Sequence, residues 1–126
     1  HFLSDKLIID ANISWYGTTD FYNELTKKND PINAPKWKWN AGLKYNTSLG
    51  DIILNLRHVD AFKWSDGIWS GVIGPYNILD LFYTYHITKN LDFNLSALNL
   101  NNDIHKELVG GAQMGRQVVI RFTSSF

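Results

Sequence analysis

Residues 36–46, Lys-Trp-Lys-Trp-Asn-Ala-Gly-Leu-Lys-Tyr-Asn, decide the fold of this chain. Every second residue from Trp37 to Tyr45 is apolar, and the residues between them are mainly lysine and asparagine. A period of two predicts a β-strand with one apolar and one polar face. Strands in soluble sheets usually have about 5 or 6 residues, whereas a strand that crosses a bilayer at a tilt has about 9 to 11. The stretch therefore predicts a membrane-spanning strand.

Five further stretches carry a similar alternation. They are residues 6–16, 51–59, 77–87, 91–99 and 117–126. Some apolar residues interrupt their polar faces, namely Ile8, Ile53, Val59 and Phe82. No stretch predicts a convincing helix. We therefore expect an all-β chain, residues 1–126, that forms one antiparallel wall of six strands without a domain boundary.

The connections between these strands alternate in length. Thr47 to Gly50 and Thr88 to Asn90 are short, whereas 17–35, 60–76 and 101–115 are long and polar. Membrane barrels have short periplasmic turns and longer outer loops. Single-chain bacterial barrels begin at about 8 strands, so six strands are too few to close one. We expect the six to be the last strands of a larger transmembrane β-barrel.

Aromatic residues lie near the predicted strand ends, where indole and phenol rings favour the membrane–water boundary. If the carboxy terminus is periplasmic, Trp15, Trp37 and Trp39 lie near the outer ends. The residues expected near the inner ends are Tyr45, Tyr85, Phe93 and Phe126. The alternative interpretation is that these rings fill the core of a small soluble β-sandwich.

Composition argues against several other classes of function. Lysine plus arginine (12) balances aspartate plus glutamate (12), so a nucleic-acid partner is not expected. The chain has no cysteine, and its histidines show no metal-ligand spacing; they are His1, His58, His86 and His105. Phosphate-loop and nucleophile-elbow motifs are absent as well, so we expect no catalytic, cofactor or metal site. Part of a barrel enzyme remains a third hypothesis.

The first residues, His-Phe-Leu-Ser-Asp-Lys, lack the basic and apolar regions of an export signal. A protein of the outer membrane needs such a signal. We therefore expect that the amino-terminal part of the parent protein precedes this chain.

The sequence resembles the carboxy-terminal region of TonB-dependent outer-membrane receptors, in particular the Bacteroidetes type with a carboxypeptidase-regulatory-like leader domain. The matching features are residues 99–102 (Asn-Leu-Asn-Asn), Gly115 with Arg116, and a last strand from Val118 to Phe126. The loop segments 62–71 and 107–116 and Pro35 before a strand are also similar. Asn101 stands where the family commonly has phenylalanine, and Ser124 stands where it often has an aromatic residue.

The resemblance implies a barrel of 22 strands closed by an amino-terminal plug, with this chain as strands 17–22. It implies uptake of a nutrient, such as a siderophore, peptide or oligosaccharide, in the bacterial outer membrane. The implied partners are the rest of the barrel and its plug, TonB through the missing amino-terminal part, outer-membrane lipid and the barrel-assembly machinery. Phe122 and Phe126 would belong to the assembly signal. The sequence leaves open whether a surface lipoprotein also binds.

Substrate contact is expected from the long loops, because loops on a rigid scaffold often carry binding residues. The candidates are Trp64, Asp66, Trp69 and Tyr76, with loop packing as the alternative role. The β-sandwich alternative would capture sugar through Trp64 and Trp69. Charged residues expected to face the lumen are Lys38, Lys44, Arg57 and Asp80.

Overall fold

The computed structural model describes residues 2–4 and 6–125, and its regular structure is entirely β. The strands are β1 (Phe2–Ser4), β2 (Leu7–Trp15), β3 (Asp20–Asn23), β4 (Lys28–Pro31), β5 (Trp37–Thr47), β6 (Gly50–Val59), β7 (Phe62–Asp66), β8 (Trp69–Ile73), β9 (Tyr76–Thr88), β10 (Leu91–Leu98) and β11 (Gln117–Ser124). Among the described residues, no helix is long and apolar enough to cross a membrane.

The main sheet has seven strands in the order β1-β2-β5-β6-β9-β10-β11, and every neighbouring pair is antiparallel. Six of these strands are long and start and end within two residues of the predicted bounds. The long connections all leave one end of the sheet, the long-loop end, and the two short turns lie at the opposite, short-turn end. The expected all-β antiparallel fold is confirmed.

The predicted apolar positions meet side by side across the sheet. One row of directly paired residues runs through all six long strands: Ile9, Leu43, Leu54, Leu81, Ala97 and Val118. The neighbouring row contains Leu7, Tyr45, Ile52, Tyr83, Leu95 and Ile120. Because alternate residues of a strand share one side, both rows lie on the same face. We call it the apolar face.

The opposite, polar face explains the irregularities of the sequence pattern. One row contains Asn46, Asp51, Thr84, Asn94 and Arg121. Another contains Ile8, Lys44, Ile53, Phe82, Ser96 and Val119. Three residues that interrupt the alternation in separate strands, Ile8, Ile53 and Phe82, therefore share a single row. They are one feature of the sheet rather than three defects.

Apart from Ala97, which belongs to the apolar face, the buried apolar residues lie at the long-loop end on the polar face. Val59, Ile73, Tyr76 and Ile78 form a small core, against which Phe62, Trp64 and Val109 pack. On the apolar face, by contrast, large apolar side chains are exposed, for example Ile13 (66% exposed) and Phe122 (65%). No second sheet covers that face within the part of the chain that the structure describes. A β-sandwich would bury it.

Three short structures were not expected from the sequence. The connections 17–35 and 60–76 contain the hairpins β3–β4 and β7–β8, and β1 adds a seventh strand to the sheet. Strands of three to five residues are too short for an alternation to stand out. The last strand ends at Ser124 rather than at the predicted residue 126; Phe126 lies outside the described residues.

The short turn between β5 and β6 depends on Gly50. This residue has a φ of 149°, which residues other than glycine rarely adopt. A β-carbon there would overlap the carbonyl oxygen of Thr84. The Thr47 hydroxyl donates a hydrogen bond to the Gly50 carbonyl at 2.8 Å. The turn therefore fixes how closely β6 approaches β9.

Candidate functional site at the long-loop end

The hairpin β7–β8 folds back over the polar face. Phe62 and Ile73, which pair at its base, pack in the small core. Further along, a β-carbon on Gly71 would lie 3.3 Å from Val109, and the Trp69 ring lies about 3.5 Å from where a β-carbon on Gly110 would be. The hairpin therefore rests on the last long connection, residues 99–116, and covers part of the polar face.

The four residues predicted to contact a substrate lie in two different environments. Tyr76 is only 6% exposed and Trp64 packs against the same core. Asp66 and Trp69 pair across the tip of the hairpin, where Asp66 is exposed and Trp69 is 59% exposed. Only this tip pair presents a large open surface, while Trp64 and Tyr76 hold the loop in place.

A cluster of polar groups around Tyr76 was not predicted from the sequence. The His105 ring stacks on Tyr76 with centroids 4.2 Å apart, and the Arg57 guanidinium lies 5.9 Å from the Tyr76 ring centre. Arg57 also donates to the Glu107 carboxylate at 3.2 Å. Glu107 lies 3.7 Å from His105 Nε2, while His105 Nδ1 is 2.8 Å from the Asp103 carbonyl. The cluster fastens the last connection to β6 and β9.

The segment 99–102 extends the pairing of β9 beyond the end of β10. The Leu100 N–H donates to the Leu79 carbonyl at 2.6 Å, and the Leu79 N–H donates to the Asn101 side-chain oxygen at 3.0 Å. The Asn101 side-chain amide donates to the Asn77 carbonyl at 2.7 Å. Asn99 has a φ of 53°, a conformation that asparagine tolerates better than most residues. These contacts give the asparagine-rich motif a structural role.

Asn33 joins the first two long connections. Its side-chain amide donates to the Ser65 carbonyl at 2.9 Å, and its side-chain oxygen accepts the Ser65 N–H at 2.8 Å. Asn33 itself has a φ of 57°. Lys63 and Asp20 lie 3.9 Å apart across the same junction. No signal in the sequence pointed to this pairing, because the two partners are 32 residues apart.

The charged residues predicted to face a lumen all lie on the polar face: Lys38, Lys44, Arg57 and Asp80. Lys38 and Arg57 line a cavity of about 400 Å³ below the hairpin, together with Asn40, Phe62 and Tyr76. Asp80 accepts the Asn99 N–H at 2.8 Å, so it also helps to hold the last connection.

The predicted interface aromatics lie on the apolar face, at opposite ends. Trp15 and Trp37 are directly paired at the long-loop end, with ring centroids 6.0 Å apart, and Trp39 lies one row inward. Tyr45, Tyr85 and Phe93 lie towards the short-turn end, where Phe93 packs edge-on against Phe122 at 5.5 Å. Phe126 lies outside the described residues.

The described histidines have separate partners. His58 bonds to Asn77 and stacks on Trp39, and His86 bonds to Asp92. No group of three or more metal-ligating side chains occurs in residues 2–4 and 6–125.

Comparison with solved structures identifies the fold. A mutant of the ferric enterobactin receptor from Pseudomonas aeruginosa matches 98% of this chain and 20% of its own, with a TM-score of 0.70 and 20% identity. The fold of the chain is therefore that of the matching part of this receptor. A second mutant of that receptor, in complex with enterobactin, matches 98% of this chain and 21% of its own, with a TM-score of 0.68 and 20% identity. The chain thus spans about a fifth of the receptors that it matches. No family model and no curated protein matches it.

Proposed function

We propose that this chain is part of the wall of a TonB-dependent outer-membrane transporter that takes up a nutrient into the periplasm. The observation that carries the proposal is the apolar face, whose rows run in register through six long strands without protein cover among the described residues. Exposed apolar rings and aliphatic side chains in such number are unfavourable in water. Against lipid tails the same face is stabilising.

The six long strands of the sheet belong, in this proposal, to a larger barrel as strands 17–22 of 22. Backbone groups at a sheet edge cost several kcal/mol each in lipid unless they are paired, so a membrane wall must close. Within the described residues, β11 has only β10 as a neighbour. The match to only 20% of the receptor chain supports the same view.

The proposed orientation has the long-loop end outside the cell and the carboxy terminus in the periplasm. The alternation of short turns and long connections supports it, because barrels in the outer membrane keep their short turns periplasmic. On this basis the plug, TonB, lipid and the assembly machinery are the proposed partners. Placement in the Bacteroidetes group with a carboxypeptidase-regulatory-like leader rests on the sequence resemblance alone.

Nutrient contact is proposed for the tip of hairpin β7–β8. Asp66 and Trp69 are exposed there, and the indole has one side supported by Gly110. An aromatic ring held in this way can stack on a ligand while a nearby carboxylate accepts hydrogen bonds. Trp64 and Tyr76 contribute by positioning the hairpin.

Cysteine labelling tests the location and the orientation, since the 126 residues contain no cysteine. In the full-length protein without other cysteines, Asp66→Cys places a thiol in an outer loop and Ser48→Cys places one in a short turn. We expect a membrane-impermeant maleimide to label the first variant on intact cells and the second only after permeabilisation. If only Ser48→Cys were labelled on intact cells, the orientation would be the opposite of the proposed one. A protein absent from the outer-membrane fraction would refute the proposal.

The last strand is proposed to carry an assembly signal that includes Phe122 and Phe126. Phe122 is 65% exposed on the apolar face, where a partner protein can reach it. Deleting Phe126 is expected to lower the amount of assembled receptor in the outer membrane, measured by its heat-dependent mobility on gels. Ser125→Ala is the matched control. Unchanged assembly of the deletion variant would count against the signal.

A further inference from the structure

The two outer edges of hairpin β7–β8 differ in whether their backbone groups have hydrogen-bond partners. On the β7 edge, both backbone groups of Ser65 point away from β8, because the Asn33 side chain bonds to each of them. In an antiparallel pair, opposed residues alternate between pairs that exchange hydrogen bonds and pairs that point outward. Ser65 is opposite Ser70, and Lys63 is opposite Val72. Both pairs therefore point outward.

The backbone groups of Ser70 and Val72 consequently face away from β7 along the edge of β8. In the described ranges the outward backbone groups of these two residues have no hydrogen-bond partner. On the opposite edge, both the N–H and the carbonyl of Ser65 are bonded to Asn33. Both residues are exposed, Val72 by 71%. An edge of this kind is a template for another extended backbone.

A groove runs beside this edge. It has a volume of about 320 Å³ and lies between residues 71–75 and residues 104–113. Ile104 and Val109 supply apolar lining, and Lys106 supplies a positive charge. A strand that paired with β8 would place alternate side chains in this groove, and the lysine favours a carboxylate there.

We propose that the edge of β8 binds a short extended peptide with a carboxylate, which adds to the hairpin as a third strand. The inference rests on the proposed function and deepens it, since it names an oligopeptide as the nutrient. Unpaired main-chain groups spaced two residues apart fit the repeat of an extended peptide backbone, and they would not match a sugar ring. Side-chain selectivity comes from the apolar groove and Lys106.

The test uses the full-length receptor in detergent and an acetylated hexapeptide, Val-Thr-Val-Thr-Val-Glu, with a free carboxy terminus. Binding is measured by isothermal titration calorimetry. An otherwise identical peptide, N-methylated at alternate residues on the edge that would pair with β8, keeps every side chain and loses the donors. We expect the methylated peptide to bind about tenfold more weakly than the unmodified peptide. Equal affinities, or no binding of either peptide, would overturn the inference.

Two receptor variants give a second measure. Val72→Pro removes an outward N–H from the β8 edge, a position at which proline is tolerated because that N–H does not join the hairpin. Lys63→Pro removes the equivalent outward N–H from the β7 edge. We expect Val72→Pro to weaken peptide binding by about tenfold and Lys63→Pro to change it by less than about twofold. Equal losses in both variants would contradict pairing at β8.

The outer-membrane location of the same receptor preparation separates the two proposals. A receptor that is labelled at Asp66→Cys on intact cells and binds no peptide refutes the peptide ligand and leaves the transporter standing. A protein that is absent from the outer membrane refutes both.

Discussion

Replacement of Leu54 by arginine tests whether the apolar face contacts lipid. Leu54 is the fifth of ten residues in β6 and pairs with Leu43 and Leu81 in the row that runs through all six long strands. An arginine on the lipid side near the middle of a bilayer costs about 2 to 4 kcal/mol, whereas near the interface the cost falls to about 0 to 1 kcal/mol. Leu54→Arg should therefore shift the folding equilibrium by roughly 30- to 700-fold.

Two matched variants distinguish a cost that arises from lipid contact from a cost that arginine would have at any position in the sheet. Asn55→Arg puts the same side chain one residue further on the polar face, between Gly42 and Asp80, where a cation has space and an acidic neighbour. Ile13→Arg puts it on the apolar face but near the long-loop end, one row from Trp15 and Trp37. We expect a change of about 1 kcal/mol or less for each.

The assay is reversible unfolding of the full-length protein in urea with phosphatidylcholine vesicles, followed by tryptophan fluorescence. The amount of folded protein in the outer-membrane fraction gives a second readout. The reasoning fails if Leu54→Arg is as stable as Asn55→Arg. It also fails if Ile13→Arg is as unstable as Leu54→Arg, since a soluble core would not show a dependence on depth.

Three further substitutions test the contacts that shape the long-loop end and the turn. Asn33→Ala removes both hydrogen bonds to Ser65 and should lower the free energy of local opening there by about 1 to 3 kcal/mol. Amide hydrogen exchange at Ser65 should become faster, with an intermediate rate in Asn33→Asp. Unchanged exchange would disprove the junction. Gly50→Ala should lower the free energy of unfolding by about 1 to 3 kcal/mol, because position 50 has a positive φ and the added methyl group would overlap the Thr84 carbonyl. Unfolding in urea at the wild-type concentration would argue against this turn geometry. Asn101→Ala should expose the Leu79 amide, and exchange there at the wild-type rate would show that the side chain does not extend the ladder.

The alternation of residues was sufficient to predict the β class, the six long strands and the two faces. Residues 37–45 show why, since a period of two assigns each side chain to one side without any information about neighbours. The short hairpins could not be predicted in this way. They depend on local features such as the positive φ of Gly67 and the Asn23 side chain, which accepts the N–H groups of Leu25 and Thr26.

The candidate site was predicted only in part. The aromatic content of the second long connection indicated a place where a ligand could bind, but it did not separate the exposed Trp69 from the buried Tyr76. That distinction comes from His105 and Val109, which pack from a connection more than 25 residues further along the chain. The cluster of Arg57, His105 and Glu107 had no signature in the sequence for the same reason.

The sequence by itself determined which side chains share a face, because a slip of one residue would move every apolar side chain to the opposite face. A slip of two residues leaves both faces unchanged, so the alternation does not fix the register. Only the tertiary structure decided that Ile8, Ile53 and Phe82 share one row, and that Asn33 closes one edge of a hairpin whose other edge stays open. Both facts depend on pairing between residues that are distant in the chain.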